Sequence, residues 1–108
     1  MTVNKAIEAL SLEVVNLSDG DRNIQSGYSG DLLSWVMARA TNGSAWITIM
    51  SNVNIIAVAS LLDLSCIILS ENAEISEELR NLAIQKNINL LRSEKNSFQL
   101  SFELGKLL

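Results

Sequence analysis

AWITIMSNVNIIAVASLLDLSCIIL, residues 45–69, sets an apolar run, a polar turn, a longer apolar segment and a second apolar run in succession. The first and last runs, residues 45–50 and 66–69, are too short for helices. They carry β-branched and aromatic residues with few polar interruptions, the pattern of strands covered on both faces. Ser51, Asn52 and Asn54 form a turn with a ready N-cap. It opens a helix over residues 55–64 whose apolar positions run nearly all the way round, so this helix is expected to be mostly covered. A strand, a helix and a strand at this spacing make a right-handed crossover between parallel neighbours.

The same alternation extends in both directions. Upstream, GYSGDLLSWVMARA (27–40) reads as a loop of small residues turning into an amphipathic helix over 31–40, with Leu32, Leu33, Val36, Met37 and Ala40 apolar and Thr41, Asn42 and Gly43 as the stop. Asp31 complements the dipole of that helix, and Asp63 ends the next one. At the start of the chain, Val3, Ala6, Ile7 and Leu10 share one face of a helix over 2–10, with Thr2 as N-cap. LEVV (12–15) reads as a strand, and NLSDGDRNIQSG (16–27) is rich in turn formers. Downstream, Ser76 caps SEELRNLAIQKN, with Glu77 and Glu78 in its first turn and Lys86 in its last. INLLRS follows as a strand, and NSFQLSFELGKLL closes the chain as a helix expected to bury Phe98, Phe102 and Leu107. The order predicts an α/β fold with a mainly parallel sheet of four to five strands flanked by helices, in a single domain over 1–108.

Composition narrows the function. The chain has 108 residues, 48% of them hydrophobic, with eight basic against twelve acidic side chains and no proline. That is enough for one core and too little for two. The basic residues are scattered along an acidic chain, which argues against nucleic acid as a partner. One cysteine, Cys66, excludes an internal disulfide and a cysteine cluster for metal, and suggests a reducing, cytoplasmic compartment. Asp63 interrupts the most apolar stretch, so no membrane segment is predicted.

Histidine is absent, which removes the commonest general base and metal ligand. GxxxxGK[ST], GxGxxG and GxSxG are absent as well. No catalytic residue, metal site or cofactor is therefore expected. Cys66 opens an apolar strand without a basic neighbour in sequence and reads as a core residue. The remaining signal is geometric. In a parallel sheet the loops after the strands gather at the carboxyl edge, where helix N-termini present free N–H groups. The small polar residues at three predicted helix starts are Gly27, Ser29, Gly30 and Asp31, then Ser51, Asn52 and Asn54, then Ser70 and Asn72. They suit an anionic ligand, and the same residue types also serve as helix caps. Trp46 reads as core. Trp35 falls off the apolar stripe of its helix and is the candidate contact residue for a partner.

GYSGDLLSWVMARA followed by SAWITIMSNVNIIAVASLLDLSCIIL resembles the DRTGG domain, in the order loop, DLLS, strand, N-I-I-A-V-A helix, apolar strand. The resemblance extends more loosely through INLLRSEKNSFQLSFEL and covers about residues 2–107. It implies a three-layer α/β/α sandwich similar to the N-terminal domain of HPr kinase/phosphorylase, and a regulatory role, since such domains occur beside CBS domains and inside long phosphotransacetylases. Some stand-alone members are similar to proteins encoded near iron hydrogenases. The residues for which the family is named are missing: SNVN stands after the central strand, and SEN follows CIIL. The function expected is a non-catalytic module that binds an anionic metabolite or nucleotide at the carboxyl edge. The alternative is a homodimeric protein-interaction module.

Overall fold

The two apolar runs of the opening stretch are the middle of a five-stranded sheet. In the computed structural model, which describes residues 1–108, the elements in chain order are α1 (Val3–Leu10), β1 (Glu13–Asn16), β2 (Ser26–Ser29), α2 (Leu33–Arg39), β3 (Ser44–Thr48), α3 (Asn54–Leu62), β4 (Cys66–Leu69), α4 (Glu77–Lys86), β5 (Leu90–Arg92) and α5 (Ser97–Leu107). The strand order is β1-β5-β4-β3-β2. β2, β3, β4 and β5 are parallel. β1 alone runs antiparallel, against β5, with a register shift between Val14 and Asn16.

Every residue of β3 and β4 is buried, and their side chains alternate between two cores as the strand period of two requires. Trp46, Ile67, Leu69 and Leu90 join Val36, Ile55, Ile56 and Leu79 under α2, α3 and α4. Ala45, Ile47, Cys66, Ile68 and Leu91 join Val3, Ala6, Leu100 and Leu104 under α1 and α5. The result is a three-layer α/β/α sandwich. Thr2, Ser76 and Asn96 cap α1, α4 and α5 by accepting from the backbone N–H of Lys5, Leu79 and Gln99. Asp63 ends α3 in the left-handed conformation, φ 54°, and its carboxylate meets the Arg22 guanidinium at 2.9 Å.

Three expectations are corrected. Residues 26–29 form an edge strand rather than a loop, because their backbone pairs with β3 from Ser26↔Ser44 to Ser29↔Ile47. α2 consequently begins at Leu33 rather than Asp31, and Asp31 lies outside its first turn, where no acidic side chain complements the dipole. In α5 the residues facing the sheet are Leu100 and Leu104, four apart, while Phe98, Phe102 and Leu107 are exposed. The stripe containing Phe98 and Phe102 is rotated from that buried pair by roughly half a helical turn, and the sheet can cover only one of the two.

Candidate functional site

Four parallel strands deliver four loops to one rim, so the turns after β2, β3, β4 and β5 lie at the same end of the sheet. At the β2–β3 corner Asp31 Oδ1 accepts from Thr48 Oγ1 at 2.8 Å and from the Ile49 N–H at 3.0 Å. The buried Trp46 indole donates to the Gly30 carbonyl at 2.9 Å. Asp31 thus ties two loops together, with a fully buried threonine as its partner. After β3, Asn52 Oδ1 accepts from the Asn54 N–H at 3.0 Å, a local turn that leads into α3.

On the other half of the rim, the β4–α4 loop is bonded to the β5–α5 loop. Ser70 is buried, with its Oγ 3.0 Å from Ser97 Oγ. Glu71 and Asn72 both take left-handed backbone, φ 60° and 51°, and their N–H groups donate to the carbonyls of Lys95 and Ser93 at 2.9 and 2.8 Å. Beside these bonds opens a cleft of about 350 Å³, its wall including Ser11, Glu13, Asn72, Arg92, Ser93 and Lys95. Arg92 reaches both Glu13 oxygens at 2.9–3.2 Å and the Ala73 carbonyl at 3.0 Å. Lys95 Nζ lies 3.0 Å from each Glu103 oxygen.

The nine residues named from sequence therefore divide. Gly30, Asp31, Ser51, Asn52, Asn54, Ser70 and Asn72 lie on the rim, and of these Asn72 borders the cleft. Ser70 is spent on Ser97. Gly27 sits inside β2 against Leu104 of α5, and with Ser29 it borders a different groove. Trp35 is exposed, with the Arg39 guanidinium 3.7 Å from its ring centroid. Arg92 and Lys95 were missed by the sequence reading. The signal for them was the fourth strand–helix junction, RSEKN, whose loop belongs to the same rim and brings two cations to it.

Chemically the rim offers amides, hydroxyls and two cations, together with the carboxylates of Asp31, Glu13 and Glu94. Cys66 is 1% exposed, and burial pushes its thiol up to about 12 against the opposing pull of Arg22. A thiol so held is no nucleophile at neutral pH. His, Cys, Asp and Glu side chains nowhere gather in a group of three that could hold a metal ion. No helix is long and apolar enough to cross a membrane.

Against known proteins, the family model described as HPr Serine kinase N terminus matches residues 48–108, more than half of the chain. Curated proteins give no match. Among solved structures, the fold is similar to the CBS and DRTGG domains of the regulatory region of Clostridium perfringens pyrophosphatase, crystallised with its activator diadenosine tetraphosphate. The TM-score is 0.75 and the sequence identity 19%, over 95% of this chain and 45% of the other. The chain thus spans under half the length of that relative, and at this identity the likeness is one of fold.

Proposed function

The chain belongs to the HPr Serine kinase N terminus family, and on that premise we propose that it is a non-catalytic regulatory module sensing a small anionic metabolite or nucleotide at the carboxyl rim of its sheet. The observation that carries this reading is the cleft at the end of β5, whose wall includes both Arg92 and Lys95, each held by a carboxylate. Arginine binds carboxylates and phosphates through the same two-pronged geometry. On this reading a ligand with several negative charges competes with Glu13 for Arg92. The pyrophosphatase region of similar fold was crystallised with a dinucleoside tetraphosphate activator, which supports a nucleotide as the first class to try.

Thermal melts against a panel of adenine mononucleotides, dinucleoside polyphosphates and acyl phosphates test the proposal. A ligand at a hundred times its Kd adds about 2.7 kcal/mol of stability, a rise of roughly 10 °C or more in a domain of this size. Lys95→Gln is expected to reduce that rise, read against the variant's own unliganded melt, which loss of the Glu103 partner lowers. A flat response across the whole panel defeats the reading.

A further inference from the structure

The two edges of the sheet are built differently. β1 is broken by a register shift between Val14 and Asn16 and carries the Glu13–Arg92 ion pair. Bulges and charges are the devices that keep an edge strand from accepting another strand. β2, at the opposite edge, is Ser26-Gly27-Tyr28-Ser29: no charge, no proline, no shift in its pairing with β3. Its outer row of backbone groups is open.

Exposed apolar side chains border this open edge on both faces. The inner side of α2 is Leu33, Val36 and Ala40. In a right-handed β2–α2–β3 crossover of a right-handed helix, Leu32, Trp35 and Arg39 then turn away from α3, toward the side where β2 ends the sheet. On the other face, Ser101 and Gly105 of α5 stand beside Gly27, Tyr28 and Ser29 in the wall of a groove of about 290 Å³. Phe98 precedes Ser101 by three residues, so its ring flanks that side of the helix, while Phe102 lies on the outer face, opposite Leu100 and Leu104. Trp35 and Phe98 are 54% and 82% exposed. At roughly 150–250 Å² per aromatic side chain they leave on the order of 300 Å² uncovered. Leu32, Leu108 and the strand itself bring the surface to the scale of the roughly 800 Å² that each partner gives to a standard interface.

We propose that this surface is the self-association face of the protein, with β2 of one copy pairing antiparallel with β2 of a second copy to make one continuous sheet. A two-fold axis normal to the sheet keeps α2 beside α2 and α5 beside α5, each pair running in opposite directions. Asp31 lies in the turn before α2 and Arg39 is its last residue, and both are exposed, so each copy's arginine is carried toward the other's aspartate. Leu104 packs on Gly27, near the middle of β2, which holds α5 along the edge where its counterpart would lie. The inference stands apart from the ligand reading, because the association needs no nucleotide.

Sedimentation equilibrium of the full chain without nucleotide tests it, together with Trp35→Glu, Phe98→Glu and Leu61→Glu. Leu61 is an exposed side chain of α3, away from the edge. The expected result is twice the 11.8 kDa chain mass for the wild type and Leu61→Glu, and single-chain mass for the other two. In the wild type, amide exchange over residues 26–29 is expected to slow as concentration rises, a readout that holds even if a variant fails to fold. A wild-type chain that stays single at several hundred micromolar overturns the proposal and leaves the edge to a strand of another protein. Doubled mass persisting in both glutamate variants, or exchange at 26–29 independent of concentration, overturns it as well.

Discussion

Asp31 shows how one carboxylate can replace a helix cap with a longer-range role. Its Oδ1 takes the Thr48 hydroxyl and the Ile49 N–H, so its loss leaves a buried donor without a partner. An unsatisfied buried donor costs about 1–3 kcal/mol. Asp31→Ala is expected to lower the urea midpoint accordingly at unchanged m, and Asp31→Asn, which keeps an acceptor, to cost less. Cys66 acts by the opposite route, through a proton the fold retains. Its pKa rises from 9.0 to about 12 on burial, so between those values the unfolded chain releases a proton that the native chain keeps. Fewer protons bound in the unfolded state means that stability falls as pH rises, by up to about 1.4 kcal/mol per pH unit. This contribution is fully present below pH 9 and lost by about pH 12. Urea unfolding from pH 8 to 11 should show a shallower decline for Cys66→Ala, and identical slopes for the two proteins would contradict the assignment.

Among the elements, α5 has a buried line and an exposed line of similar apolarity. Leu100→Ala is expected to cost about 2–5 kcal/mol, as a fully buried leucine does. Phe98→Ala in dilute protein should change stability by no more than about 0.5 kcal/mol, although it removes the larger side chain. Comparable losses in the two variants would mean that α5 packs by its other face. From sequence alone both stripes look equally suitable for burial, and only the position of the sheet selects between them. β2 was illegible for a related reason. Ser-Gly-Tyr-Ser has no apolar alternation to mark it as a strand, and its extended form comes from backbone pairing with β3. By contrast, β3, β4 and the capped helices carry their own signals: continuous apolar runs, Thr2 and Ser76 before periodic stripes, and Asp63 at a helix end. These local signals sufficed to read the fold class.

Across the whole molecule, the site was legible to the extent that topology determines it. Parallel order brings the loops after successive strands to one rim, and seven of the nine residues chosen from sequence lie there. Which of them face open space is decided by contacts between loops distant in sequence, such as Ser70 with Ser97 and Asn72 with Ser93. Such contacts leave no local pattern, and they move the cleft toward Arg92 and Lys95. The antiparallel β1 has a consequence of its own at this scale. A sheet with two receptive borders can add copies without limit and grow into a fibre. Here the shifted, ion-paired strand disfavours further addition, so joining at β2 as proposed would use up the one receptive border and stop assembly at a finite pair.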